Sequence, residues 1–92
     1  MSWTVQLTKK AAKQYKKLPQ VVRDGIDALM MEIRIGGPVR GNWPHYSKLS
    51  VTEHHCHVRR GRPTYVAVWR EDKREVRLVE VIYAGTHEQA PY

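Results

Sequence analysis

The segment Glu53–Arg60, EHHCHVRR, gathers His54, His55 and His57 and runs directly into Arg59, Arg60 and, past Gly61, Arg62. On a β-strand the side chains alternate between two faces with a period of two. Glu53, His55, His57 and Arg59 then share one face, and His54, Cys56, Val58 and Arg60 the other. Cys56 and Val58 make the second face the inward one, so His54 is read as structural. The first face presents two imidazoles and a guanidinium in a row. Imidazole exchanges protons near neutral pH and guanidinium keeps its charge, so such a row can move protons and hold a phosphate. A zinc site is the rival use, with His45 or His87 joining His55 and His57. Alternation separates Cys56 from those two, and no second Cys/His pair stands at finger spacing. Neither a metal nor another cofactor is expected.

The residues that position this row come from a chain of 92 residues, expected to form one domain over its whole length, 1–92. Lys and Arg number 16 against 9 Asp and Glu, a net charge of +7. A balance that basic points to an anionic partner, nucleic acid first and an acidic protein second. A single cysteine rules out an internal disulfide and suits a reducing compartment. No apolar run approaches a membrane helix and the N-terminus has no signal-peptide core, so a cytoplasmic protein without membrane contact is expected.

Trp3–Leu7 alternates as a first strand. Thr8 is placed to cap a short helix from Lys9 to Leu18, with Ala11, Ala12, Tyr15 and Leu18 inward. Its five lysines fit a solvated surface and a phosphate-tracking one equally. Pro19 opens a second helix with an apolar stripe of Val22, Ile26, Leu29, Met30 and Ile33. Gly25 in its interior suggests close approach to the first helix. Gly36, Gly37 and Pro38 end it. Val39–Val51 reads as an ordered loop, with Lys48–Leu49 leading into the strands. Glu53–Arg60, Thr64–Arg70 and Glu75–Ala84 are strands joined by short connections, the last central in the sheet. The expected fold is α+β, in the order β-α-α-β-β-β: a two-helix hairpin on one face of a small, mainly antiparallel sheet, with the imidazole row on the exposed concave face.

The basic helical hairpin after a short strand, WPHYSKL before the sheet, RPTYVAVW in the middle strand and YAGTHEQAPY at the end together resemble a RelE-type toxin of the RelE/ParE toxin–antitoxin superfamily. That resemblance covers nearly the whole chain. It implies a ribosome-dependent mRNA endonuclease that inhibits translation and is restrained by a cognate antitoxin. It also implies a C-terminal acid/base set on the concave face. By position, the residue after Gly85-Thr86 is His87, followed by Glu88, and the C-terminal tyrosine of the family falls on Tyr92. Lys48 matches a family lysine ahead of the second strand. Pro63-Thr64 stands where the family has an arginine, with Arg62 adjacent.

Cleaving RNA through its own 2′-hydroxyl requires a base, an acid and cationic support for the pentavalent phosphorus. His55 and His57 are assigned to proton transfer, with His87 and Tyr92 at the other end of the site. Arg59, Arg62 and Lys48 are assigned to phosphate, with Glu88 beside them. Tyr92 or Trp69 could stack a base, although Trp69, like Tyr65, suits sheet packing better. Which group is acid and which is base stays open. The competing readings are a non-catalytic ParE-like inhibitor of DNA gyrase and a degenerate member that binds only antitoxin or nucleic acid. The expected partners are an acidic, partly disordered antitoxin, the ribosome and mRNA.

Overall fold

The computed structural model describes residues 2–92. Its elements are β1 (Thr4–Leu7), α1 (Lys9–Lys16), α2 (Gln20–Gly36), β2 (Ser47–Lys48), β3 (Glu53–Arg59), β4 (Tyr65–Glu71), β5 (Leu78–Thr86) and a closing 3-10 turn, His87–Gln89. One mixed sheet runs in the order β1-β5-β4-β3-β2. Only the β1–β5 pair is parallel; β2 through β5 are antiparallel neighbours. The expected α+β order holds, with one short strand added: Ser47 and Lys48 pair with His55 and His54 inside the segment read as loop. Among the described residues no helix is long and apolar enough to cross a membrane.

Local chemistry explains the helix limits. The Thr8 hydroxyl accepts a hydrogen bond from the Ala11 amide at 3.2 Å, satisfying one of the free donors at the start of α1. At the end of α2, Gly37 takes φ +92°, a conformation that suits glycine, and its amide donates to the Ile33 carbonyl at 2.8 Å. The stripe Val22, Ile26, Leu29, Met30 and Ile33 is buried as its spacing requires. α1 lies against β5, while α2 lies against β3 and β1. Between helices and sheet sits the main core, built from those residues with Val5, Cys56, Ala67, Trp69, Val79, Val81 and Ala84.

Two register shifts in the sheet decide which side chains face where. Between Val68 and Trp69 of β4 the β5 partner jumps from Tyr83 to Val81, leaving Ile82 extra. Tyr83 thereby joins Val66 and Val68 on the face away from the helices, where Leu49, Ile82 and Ala90 pack on them. That face, expected to be open, carries a small apolar floor. The second shift falls between His57 and Arg59 of β3. The last strand also starts later than its composition suggested. The Arg74 and Glu75 amides donate to the Asp72 carboxylate at 2.7 and 2.9 Å, and Arg77 has φ +61°, so residues 74–77 form a turn and β5 begins at Leu78.

Gly25 does mark a close approach, to the sheet rather than to α1. A Cβ there would stand 2.6 Å from the Val58 Cγ1. Overpacking of this kind costs about 1–3 kcal/mol, against about 1 kcal/mol gained from alanine's helix propensity. Chemical denaturation should therefore find Gly25→Ala destabilised by about 1 kcal/mol in the wild-type background. In a Val58→Ala background, where the clash is gone, the same substitution should stabilise by about 1 kcal/mol.

Candidate active site

β3 carries two consecutive histidines with opposite surroundings. His54 is fully buried on the helix side, stacked on Trp69 with ring centroids 5.8 Å apart. His55 and His57 lie across from Val68 and Val66 on the other face. His55 is 9 % exposed; its Nδ1 lies 3.1 Å from the Ser47 Oγ and 3.3 Å from the Ser47 carbonyl, which leaves Nε2 for exchange. His57 lies 6.3 Å from His55, ring to ring, and 5.4 Å from His87.

The chain end closes the cluster. The Tyr83 hydroxyl donates to the Thr86 carbonyl at 2.7 Å, fixing the exit from β5. Gly85 lets the Tyr83 ring pass, since a Cβ would meet its hydroxyl at 2.8 Å. The following turn sets His87 beside His57, and Tyr92 comes to 4.6 Å from His55 and 6.0 Å from His87. A cleft of about 560 Å³ adjoins them, lined by His57, Arg62, Pro63, Thr64, His87 and Glu88 among others. His55, His57, His87, Tyr92, Arg62 and Glu88 are thus brought together as the sequence suggested.

Arg59 is not. The shift after His57 turns it to pair with Tyr65, whose ring packs against the helix-side core. Parity inverts beyond Val58, and Arg60 takes the place assigned to Arg59: its guanidinium contacts the Nε2 of His45. Trp69 cannot stack a base, being fully buried with its indole N–H donating to the Pro38 carbonyl at 2.9 Å. Lys48 is exposed, but register sets it opposite His54, on the side away from the imidazoles.

His45 and Arg60 were not assigned to proton transfer or phosphate from the sequence. His45 stacks on His57 at 4.3 Å, from a backbone with φ +52°. The signal available was a histidine between Pro44 and Tyr46 in the quoted WPHYSKL stretch. Nothing in the sequence announces a bulge at Val58. Stacked face to face, the His45 and His57 rings do not aim their nitrogens at a common point. Among the described residues no trio of His, Cys, Asp or Glu is arranged to hold a metal.

Burial lowers the pKa of His55, partly offset by its bond to the Ser47 carbonyl, and His87 and His45 lower it further. Burial also lowers that of His57, aided by the neighbouring imidazoles and Arg60. Both rings are therefore neutral, proton-accepting groups at neutral pH. Burial raises Tyr92, which keeps its hydroxyl proton there. The Cys56 thiol is pushed up to about 12 by burial and is no nucleophile. In the unfolded chain the two imidazoles take up protons near 6.5, whereas folding resists their protonation. Below that value the unfolded state binds more protons, so their contribution is complete above 6.5 and is lost as pH falls toward the lowered folded values. Thermal melts in phosphate-free buffer should show Tm dropping from about pH 7.5 to about pH 5, and His55→Gln should shrink that drop.

No family model and no curated protein sequence matches the chain significantly. Solved structures do match in shape. A double-arginine mutant of the E. coli toxin RelE in the free state superposes with a TM-score of 0.73 at 19% identity, covering 96% of this chain and 86% of that one. The RelE–RelB complex of the archaeon Pyrococcus horikoshii OT3 gives 0.70 at 11% identity, over 98% and 100% of the two chains. The toxin–antitoxin complex RelBE2 of Mycobacterium tuberculosis gives 0.54 at 24% identity, over 94% and 99%. Two helices packed against a five-stranded mixed sheet is the fold that this chain shares with those RelE structures.

Proposed function

We propose that this chain is the toxin of a type II toxin–antitoxin pair and acts as a ribosome-dependent, metal-independent endoribonuclease on mRNA. The observation that carries the proposal is the convergence of His45, His55, His57, His87 and Tyr92 on one basic sheet face. A surface built only for binding has no use for three imidazoles gathered around a fourth, His57, whose affinity for protons is lowered by burial and by those neighbours. This weighs against a gyrase-binding inhibitor.

The chemistry follows from the placement. His55, neutral at pH 7 and with Nδ1 engaged by Ser47, accepts the 2′-hydroxyl proton through Nε2. The 2′-oxygen attacks the adjacent phosphorus, and the bond from phosphorus to the 5′-oxygen breaks. His87 returns a proton to that oxygen, leaving a 2′,3′-cyclic phosphate and a 5′-hydroxyl. Arg60 and Arg62 supply fixed positive charge for the pentavalent phosphorus. Tyr92, protonated and beside His55, donates a hydrogen bond or stacks a base. His57 lies between His55 and His87 and orients the ribose-phosphate.

The partners proposed are the ribosome, mRNA and an acidic antitoxin that orders on this +7 chain. The structures named above include a RelE–RelB complex and a toxin–antitoxin complex; that pairing is carried over here as part of the proposal.

Induction of the chain with and without translation, followed by mapping of reporter mRNA ends, tests the reading. Cleavage should require translation. His55→Ala and His57→Ala should each lower it about 10²–10⁴-fold while folding is kept. Arg60→Ala should cost more than Arg59→Ala or Lys48→Ala, because of these three only Arg60 contacts an imidazole of the cluster. Undiminished cleavage in both histidine variants would reject the site.

A further inference from the structure

On the helix side of the sheet, Tyr46, His54 and Glu71 form a chain that the reaction above does not use. The Tyr46 hydroxyl lies 2.7 Å from the His54 Nδ1, and the His54 Nε2 lies 2.8 Å from a Glu71 carboxylate oxygen. His54 is fully buried and sandwiched near Trp69 and Tyr46. Glu71 can only accept, so Nε2 carries a proton. Burial keeps the Tyr46 hydroxyl protonated and places it against Nδ1. Both ring nitrogens are thereby engaged, and the imidazole is held in one orientation.

The strap between α2 and β3 shows what this fixes. Its strand content is two residues, Ser47–Lys48; the His57 amide also donates to the Pro44 carbonyl at 2.8 Å, and side chains supply the further anchors. Glu32 anchors the near end, accepting from the Trp43 indole at 3.0 Å and the Asn42 amide at 2.8 Å. Tyr46 anchors the far end. Its two sequence neighbours are the residues that reach the site: His45, stacked on His57, and Ser47, bonded to His55. His45 also holds φ +52°, a sparsely populated conformation for a non-glycine residue. Strain beside a candidate site, enforced by a buried polar chain, is an arrangement that serves placement of a side chain.

We propose that Tyr46, His54 and Glu71 are positioning residues. From behind the sheet they pin the strap so that His45 lies on His57 and Ser47 fixes the ring of His55. The kinetic part of this proposal rests on the nuclease reading; the geometric part does not.

Tyr46→Phe tests it, keeping the ring and removing the hydroxyl, alongside Glu71→Ala and Glu71→Gln. Glu71→Gln retains an acceptor oxygen for the His54 Nε2–H. Folding is checked by circular dichroism, the His45–His57 stack by ring-to-ring nuclear Overhauser effects, and activity by ribosome-dependent cleavage. Tyr46→Phe and Glu71→Ala should stay folded, lose the ring-to-ring signal and lower kcat about tenfold to a hundredfold, with KM nearly unchanged. Glu71→Gln should keep both. An intact ring signal in folded Tyr46→Phe and Glu71→Ala would overturn the proposal, as would loss of melting temperature with no change in that signal. Should Tyr46→Phe not fold, the Glu71 pair decides alone. Should the wild-type chain cut no RNA, the nuclease reading fails, while the ring signal still decides the positioning role.

Discussion

The antiparallel register of β3 on β4 is the constraint on which the rest depends. His55 lies across from Val68 and His57 across from Val66, while His54 and Cys56 face Trp69 and Ala67. Because side chains alternate, adjacent histidines serve opposite purposes: His54 belongs to the core and His55 to the surface where chemistry is proposed. Slipping the strand by one residue would drive two exchangeable imidazoles into the helix-packed layer and expose Cys56. The core prevents that slip. Cys56 and Trp69 are fully buried, and exposing them would forfeit the apolar burial that holds α2 on the sheet.

Bulges let this rigid layer aim side chains that strict alternation would misplace. The one in β5 swings Tyr83 to the imidazole face, where its hydroxyl fixes the turn that delivers His87. The one after His57 exchanges Arg59 for Arg60. Each sacrifices ladder regularity at one point and gains a cationic or proton-carrying group at the site. The site itself is electrostatically self-consistent. Burial, with the neighbouring imidazoles, makes His55 and His57 resist protonation and so remain bases, and an arriving phosphate meets the positive charge of Arg60 and Arg62.

Much of this was legible in the residues. The apolar stripe of α2, the cap at Thr8 and the two faces of β3 as far as His57 all follow from periodicities of 3.6 and 2. The convergence of His87 and Tyr92 came from the resemblance carried by YAGTHEQAPY. What escaped was set by single-residue events. A bulge at Val58 leaves no compositional trace, so Arg59 was placed with the imidazoles. Trp69 alternates as either face allows, and only the Pro38 carbonyl waiting for its indole N–H settles it inward. Lys48 belongs to a two-residue strand whose pairing with His54 is a tertiary contact that leaves no local signal. His45 sits in a left-handed backbone conformation that few non-glycine residues adopt and that periodicity does not announce.

Imidazole-detected nitrogen NMR, with a 2′-O-methyl RNA trinucleotide titrated in at low salt, tests the central claim most directly. The blocked 2′-oxygen stops cleavage, so binding alone is observed. His45, His55, His57 and His87 should shift together along one binding curve while His54, behind the sheet, stays still. Shifts confined to the lysines of α1, with the four imidazoles unmoved, would contradict the account.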